Sequence, residues 1–472
     1  MIIGLPAEGL SAAWEKDFAA YPPAGVILFR RDFRDLVGLR RLTARLRATA
    51  RPRRLFLAID EEGGFVSQLG EHFVIPPNAT LLARGAAPGD IAWAHRVTGE
   101  RLRALGVDWS FAPVADVHSE AHNPVIGPRA FGSDPEAVAR AVGEAIEGFR
   151  AAGLASCLKH FPGHGDTVLD SHLALPRCDA DRTTLERREL VPFRANLAQA
   201  DSVMTAHVVY PALDPARPAT FSRAVAHDLL RDTLGFHGLA VTDALEMRGA
   251  ADGREPSETG RLALEAGCDL LLYAFHDESV RRARLELAKA LVDGRFARTS
   301  FDDSRGRLAA FDEARPEPGS AELERSIESL TPPDWTARLS AIIERGLIVR
   351  GAAPLLPAGA TCEVREPEWP YGESFGAALA AAGVPVAASG ARVGIEVVAS
   401  RIPITPAALE ELRRRCATRP SVVIGLQNDA FLDAVPEAAL RISASDPTPL
   451  TRSVVARALA SHLRLRGRPE TQ

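Results

Sequence analysis

One short stretch of the chain is dense in side chains that can move protons, bind metals or hold hydroxyl groups. Between residues 159 and 172 lie three histidines, two aspartates and a lysine. The stretch begins where the apolar run 155–158 ends, which is where a buried strand would give way to a surface loop. Loops at strand ends carry the chemistry of many α/β enzymes, so we expect an active site here.

Three interpretations of this stretch are open from the residues alone. The side chains could cap turns and face water, although Gly163 and Gly165 alternate with polar groups as if the backbone passed close to a ligand. Asp170 and His172 could form a pair, since residues two apart point to the same side of an extended loop. The aspartate would then hold one ring nitrogen and leave the other to donate a proton near neutral pH. The third interpretation is a metal site formed by His160, His164, Asp166, Asp170 and His172, although their spacing matches no zinc signature.

The pattern KHFPGHGDTxxDSHxxLP, from Lys159 to Pro176, resembles the signature of the family 3 β-N-acetylglucosaminidases of bacterial cell-wall recycling. Four further segments resemble motifs of that family in the same order: 57–64 with Asp60, 126–135 with Arg129, 203–207 with His207, and 234–247 with Asp243. Five ordered motifs are more specific than one short pattern.

The resemblance implies a retaining glycoside hydrolase that needs no metal or organic cofactor. Asp243 would be the nucleophile, and Asp170 with His172 would be the acid/base dyad. The sugar would be held by Asp60, Arg129, Lys159, His160 and His207, with Asp116 in support. The sequence departs from the family at Phe65 and Gln68, where arginines are usual, so the resemblance leaves the exact sugar and aglycone open.

Apolar runs alternating with amphipathic segments predict a (β/α)8 barrel of the TIM type. Asp60, His160, His207 and Asp243 would lie at the C-terminal ends of their strands, the face on which such barrels build active sites. The predicted strands are 2–5, 25–29, 55–59, 107–111, 156–160, 202–206, 239–243 and 269–273.

A shortened α/β sandwich-like domain is predicted after the barrel. The predicted division is a catalytic barrel at 1–312, a linker rich in proline at 313–335, and a small C-terminal domain at 336–472. In the last part we expect apolar segments at 341–349, 392–398 and 421–426, with a helix from Thr405 to Cys416.

Bulk composition fits a globular enzyme with a carbohydrate substrate. The 472 residues are 46% hydrophobic with a formal net charge of -5, and the chain has no basic stripe, so we expect no nucleic-acid partner. Five widely spaced cysteines indicate reduced thiols. With neither a signal peptide nor a membrane span in view, we expect a cytoplasmic location.

Several alternatives remain at this stage. Phosphate rather than water could attack the glycosyl intermediate, which would make the protein a phosphorylase, or the scaffold could serve another β-glycosidase. A metal-dependent barrel hydrolase and a non-catalytic sugar-binding protein are the rivals of a different class. Asp243 could instead be the N-cap of a helix, Asp60 a turn residue, and Arg129 a solvated surface arginine.

Overall fold

The computed structural model describes residues 1–171, 173–296, 298–352, 354, 356, 360–400 and 404–464. Packing divides the chain into two compact units. The first unit comprises Met1–Glu62, Gly89–Glu120 and Gly132–Pro332. The second comprises Gly63–Pro88, Ala121–Phe131 and the described part of Pro333–Gln472. Two segments that lie early in the chain therefore pack with its C-terminal part, whereas the functional boundaries at 312 and 336 stay a prediction.

The first unit contains a barrel of eight parallel strands in the order β4-β3-β2-β1-β10-β9-β6-β5, and a separate hairpin of β7 and β8. Each of the eight predicted strands is present. The strands are β1 Ile2–Ile3, β2 Gly25–Leu28, β3 Phe56–Ile59, β4 Trp109–Ser110, β5 Cys157–Phe161, β6 Ser202–Thr205, β7 Val209–Tyr210, β8 Asp214–Pro218, β9 Leu239–Ala244 and β10 Leu270–Tyr273.

Backbone hydrogen bonds between the segments of β4 and β5, the two end strands of this order, close the barrel. Ser110 N donates to Ala155 O at 3.0 Å and Cys157 N donates to Ala112 O at 2.8 Å. Inside the barrel, the ring of Phe311 packs against Phe56 and Trp109 with centroids 5.1 and 4.8 Å apart. The interior is thus a packed core, which leaves the strand ends to form the site.

The helices begin where side chains cap them. Asp35 and Asp134 each accept a hydrogen bond from the backbone three residues later, and Pro135 occupies the first turn of its helix. The helices are α1 Ala12–Ala20, α2 Leu36–Ala50, α3 Ala79–Gly85, α4 Asp90–Ala104, α5 Pro135–Ala151, α6 Arg182–Arg187, α7 Val191–Asn196, α8 Arg248–Ala251, α9 Pro256–Ala266, α10 Glu278–Val292, α11 Arg298–Ala314, α12 Ser320–Leu323, α13 Trp335–Gly346, α14 Phe375–Ala381, α15 Pro406–Thr418 and α16 Pro449–Arg464, with a π-helix at Ala224–Thr233.

The second unit is built on a five-stranded sheet in the order β11-β15-β14-β13-β12, parallel except for β11. The early segments join it through Trp335 Nε1, which donates to Val74 O at 2.7 Å, and Asn78 N, which donates to Asp446 at 3.0 Å. Its strands are β11 Ile348–Gly351, β12 Cys362–Arg365, β13 Val393–Val398, β14 Ser421–Gly425 and β15 Leu440–Ser443.

The predicted fold class, a (β/α)8 barrel followed by a small α/β domain, is confirmed. One detail differs, because the apolar run 341–349 is divided between α13 and β11 rather than forming one element. Among the described residues, no helix has the length and apolar character needed to span a membrane. The cytoplasmic location stays a prediction.

Candidate active site

The C-terminal ends of the barrel strands bring most of the predicted residues to one edge of the sheet. Asp60 follows β3, Lys159 and His160 lie in the last part of β5, and Asp243 lies near the end of β9. His207 comes two residues after β6. Because parallel strands end at the same edge, these side chains share one face of the barrel.

Lys159 is held between two carboxylates. Its Nζ lies 2.7 Å from Asp60 Oδ1 and 2.6 Å from Glu62 Oε1, and its side chain is only 3% exposed. A buried ammonium needs such partners, since an unpaired buried charge costs several kcal/mol. The pairing fixes the Asp60 carboxylate at the rim. Glu62 was not singled out from the sequence, because nothing in Asp60-Glu61-Glu62 says which acidic side chain turns toward Lys159.

Asp116 organises the loop that follows β5. Its Oδ1 accepts hydrogen bonds from the backbone N of His160 at 3.0 Å and of His164 at 2.7 Å, and its Oδ2 lies 2.7 Å from His160 Nδ1. Burial acts to raise the pKa of Asp116, but the charge of His160 and these hydrogen bonds outweigh it and lower the pKa overall. Asp116 therefore stays ionised and orients the His160 ring.

His164 is a buried connector within the same loop. Its Nδ1 lies 3.0 Å from Thr167 Oγ1 and its Nε2 lies 3.1 Å from Ser171 Oγ. Burial and the neighbouring His160 lower the pKa of His164 to about 4, so the ring is neutral at neutral pH. Both ring nitrogens already have partners within the protein, which favours a structural role.

The two glycines of this loop pack closely against neighbouring protein segments. A Cβ on Gly163 would lie 2.7 Å from Glu189 Cβ, and one on Gly165 would lie 1.6 Å from Val117 O. Close packing against neighbouring segments of the barrel unit is thus one reason for glycine at both positions, and a close approach of the backbone to a ligand stays a prediction.

Asp170 is half-buried, and His172 lies outside the described residues. The residue between them is fixed at both ends: Ser171 Oγ contacts His164, and Ser171 O accepts a hydrogen bond from Gly249 N at 3.0 Å. Gly249 belongs to α8, the first helix after Asp243. The loop that carries Asp170 is thus tied to the segment that follows Asp243.

Asp243 is half-buried in β9, and its Oδ1 accepts a hydrogen bond from Ala244 N at 2.8 Å. It does not cap a helix, since the strand runs on to Ala244 and α8 begins at Arg248. His207 supports this segment, with Nε2 3.0 Å from Ala244 O and Nδ1 2.8 Å from Thr220 Oγ1. These contacts favour a positioning role for His207, and its predicted contact with sugar stays a prediction.

Glu246 is a second carboxyl near Asp243 that the sequence did not identify. Its Oε1 accepts a hydrogen bond from Phe275 N at 3.0 Å, while its Oε2 is buried and has no hydrogen-bond partner among the described residues. Burial raises the pKa of Glu246 to about 7, and the charge of Asp243 adds to the shift. The sequence feature that could have identified Glu246 is its position three residues after the predicted nucleophile.

Arg129 belongs to the second unit, on a single turn at Gly127–Arg129. It is buried rather than a solvated surface arginine, and its Nη1 donates to Val125 O at 3.2 Å. Its role as a sugar ligand stays a prediction.

Within the part of the chain that the structure describes, the one group of side chains close enough to hold a metal ion is His227, Asp228 and Asp232 on the π-helix. None of its members is among the residues predicted to bind metal. Of those, His160 directs Nδ1 to Asp116, and His164 contacts Thr167 and Ser171.

Comparison with known proteins decides the family. Residues 9–311 match the profile of the glycosyl hydrolase family 3 N-terminal domain, which is more than half of the chain. The chain belongs to glycosyl hydrolase family 3. A curated relative, the beta-hexosaminidase of Alkalilimnicola ehrlichii, is 41% identical over 291 residues, which cover 59% of this chain and 82% of the relative.

Solved structures are similar to the chain over all or most of its length. A β-N-acetylglucosaminidase from Paenibacillus sp. str. FPU-7 has a TM-score of 0.89 at 30% identity, covering 99% of this chain and 96% of its own. NagZ from Neisseria gonorrhoeae has a TM-score of 0.62 at 32% identity, covering 72% and 96%. The predicted family and the predicted enzyme class, a glycoside hydrolase, are confirmed.

Proposed function

We propose that this family 3 enzyme is a β-N-acetylhexosaminidase that removes terminal β-linked N-acetylglucosamine, with peptidoglycan-derived fragments as its substrates. The observation that carries the proposal is the arrangement at the barrel edge. Asp243 lies on β9, Lys159 on β5 pairs with Asp60 directly after β3, and Ser171 ties the Asp170 loop to the segment after Asp243. The names of the relatives support the choice of an N-acetylated amino sugar.

In the proposed mechanism, a carboxylate oxygen of Asp243 attacks the anomeric carbon while protonated His172 gives its proton to the departing glycosidic oxygen. The glycosidic bond breaks and a covalent glycosyl-Asp243 forms. Neutral His172 then removes a proton from water, whose oxygen attacks the anomeric carbon and releases Asp243. Asp170 orients the imidazole and favours its charged form. Asp60, Lys159 and His160 hold ring hydroxyls.

The test is cleavage of 4-nitrophenyl β-N-acetylglucosaminide by the whole protein, followed by product analysis. We expect free N-acetylglucosamine as product, the same rate after exhaustive chelation, and no sugar phosphate when phosphate is added. Sugar phosphate would indicate a phosphorylase, and loss of activity that a divalent ion restores would indicate a metal-dependent hydrolase.

Asp243→Asn should abolish turnover while N-acetylglucosamine binding stays within about tenfold, because the amide has nearly the same shape but is not nucleophilic. Asp252→Asn, at an exposed aspartate after α8, is the matched control and should keep full activity. Substantial turnover by the Asp243 variant would place the nucleophile elsewhere.

A further inference from the structure

Phe275 is an exposed aromatic residue on the edge of the barrel that carries the site. Its side chain is 54% exposed, and it lies two residues beyond the end of β10. β10 pairs in parallel with β9, the strand of Asp243. A single exposed apolar residue needs no explanation by itself, so its support decides whether this one is informative.

The backbone around Phe275 is held from three sides. Arg31 Nη2 donates to Ala274 O at 2.7 Å, and Phe275 N donates to Glu246 Oε1 at 3.0 Å. On the third side, a Cβ on Gly4 would lie 2.0 Å from Ala274 O, so the backbone there packs directly against the glycine. Through Glu246 the backbone of Phe275 is connected to the segment of Asp243.

One face of the Phe275 ring is already covered by a cation. The Arg31 guanidinium lies over two aromatic rings, 4.2 Å from the centroid of Phe29 and 4.4 Å from that of Phe275. Phe29 and Arg31 directly follow β2, so all three residues lie on the same barrel edge as Asp60 and Asp243. This cation–π contact supports the ring from one side, while 54% of the Phe275 side chain stays exposed.

This arc of the rim differs in chemistry from the rest of the site. In the order of the sheet, β2, β1 and β10 lie between β3 and β9. Asp60 follows β3, and Asp243 lies on β9. Where β3 and β5 present a paired carboxylate and ammonium suited to hydroxyl groups, the arc presents the exposed Phe275 ring beside the Arg31 guanidinium. A pyranose ring offers both surfaces, hydroxyls at its edge and C–H groups on its faces, and C–H faces pack on aromatic rings.

We propose that Phe275, held by Arg31 and Phe29, forms the leaving-group subsite, where the sugar on the far side of the scissile bond stacks on the exposed face of the ring. The inference rests on the proposed hydrolysis of β-linked N-acetylglucosamine. Phe275 is a specificity residue, and Arg31 is a positioning residue that acts through it.

The experiment compares kcat/KM for two substrates that differ only beyond the scissile bond: the β-1,4-linked disaccharide of N-acetylglucosamine, and β-N-acetylglucosaminyl fluoride, whose leaving group is too small to reach the ring. Phe275→Ala should lower kcat/KM about tenfold for the disaccharide and change it less than twofold for the fluoride. Phe275→Tyr should restore the disaccharide rate.

Two further variants sharpen the test. Arg31→Met keeps an apolar stem but removes the cation, and should lower disaccharide kcat/KM about threefold without affecting the fluoride. Tyr21→Ala removes a 60% exposed aromatic ring that precedes β2, at the opposite end of the barrel, and should change neither substrate.

Equal loss on both substrates would mean that Phe275 contacts the reacting sugar, and no loss on either would mean that it contacts neither; both results overturn the subsite. A wild-type protein that cleaves neither substrate would contradict the proposed function instead.

Discussion

At the scale of single residues, the three histidines of segment 159–172 divide by what their rings contact. His160 is oriented by Asp116, and His164 is enclosed by Thr167 and Ser171. The low pKa of His164, about 4, makes it a poor proton donor at neutral pH. This leaves His172 as the histidine of the segment to which we assign the proton transfer.

The assignment predicts unequal losses when the acid is removed. His172→Ala should lower single-turnover glycosylation by about two to four orders of magnitude with a natural disaccharide, but only mildly with an activated aryl glycoside, whose leaving group departs unaided. Asp170→Ala should follow the same pattern, because the imidazole loses its orientation and a stabilising charge.

The measurement is rate against leaving-group pKa for the wild type and both variants. His227→Ala, on the π-helix, serves as a histidine control and should leave the dependence unchanged. Parallel lines for wild type and His172→Ala would mean that the proton comes from another residue.

The family resemblance, carried by ordered motifs, identified Asp60, Lys159 and Asp243 as a group, and the structure brings them to one barrel edge. Glu62, Glu246 and Phe275 were not identified. The role of each depends on a contact between segments that are distant in sequence: Glu62 with Lys159, Glu246 with the backbone N of Phe275, and Phe275 with Arg31. Such contacts produce no periodic pattern in the sequence.

At the scale of elements, three aspartates repeat one arrangement at the N-terminal edge of the barrel. Asp108, Asp201 and Asp269 each stand directly before a strand, namely β4, β6 and β10. Each accepts a hydrogen bond of 2.8 to 2.9 Å from the backbone N of a neighbouring segment, at Leu57, Ser156 and Ala240 respectively. The side chains thus fix the register of adjacent strands.

Arginines from the outer layer neutralise these aspartates. Asp269 contacts Arg231 and Arg307 at 2.7 Å each, and Asp201 contacts Arg315 at 2.8 Å. Such buried pairs matter most when one partner is lost, because the remaining charge stays buried without compensation. The arrangement lies at the edge opposite the site, where a barrel keeps stability separate from chemistry.

We therefore expect Asp269→Asn to lower the free energy of unfolding by about 2–4 kcal/mol, while kcat per folded molecule stays within twofold. Chemical denaturation measures the first quantity and an activity assay the second. Asp302→Asn, at an exposed aspartate of α11, should leave both unchanged. A drop in kcat at unchanged stability would contradict this separation of the two edges.

The barrel strands could be predicted because both faces of a parallel sheet are buried, which gives continuous apolar runs such as 239–241. In the second unit, β12 and β15 were not predicted. Their sequences, Cys362-Glu363-Val364-Arg365 and Leu440-Arg441-Ile442-Ser443, are short and interrupted by charge. Neither did any local pattern indicate that 63–88 and 121–131 pack with the C-terminal part.

At the scale of the whole molecule, the stability contributed by buried glutamates and by buried histidines changes with pH in opposite directions. Burial raises the pKa of Glu189 and of Glu246 to about 7, and lowers that of His95 and of His164 to about 4. The glutamates add stability that is complete below about pH 4.5 and is lost as the pH rises through about 7. The histidines add stability above about pH 6.5 that is lost as the pH falls through about 4.

Replacing one glutamate should reveal how much it contributes to the pH dependence of the free energy of unfolding. Glu189→Gln keeps the size of the side chain but cannot ionise, so its stability relative to the wild type should rise between pH 4.5 and 7.5 by about 2–3 kcal/mol. Denaturant titrations at a series of pH values measure the difference. For Glu186→Gln, at a nearby exposed position of α6, the difference in stability from the wild type should stay constant with pH. A constant difference for Glu189→Gln as well would contradict the raised pKa of Glu189.

The three-segment make-up of the second unit sets an order of events during synthesis on the ribosome. Asn78 is translated early, yet its partner Asp446 follows 368 residues later, and Val74 waits 261 residues for Trp335. At roughly 5–20 residues per second, the first of these delays lasts about 20–70 seconds. During that time residues 63–88 leave the ribosome without their partners, so the nascent chain carries a segment that chaperones can bind until the last strands appear.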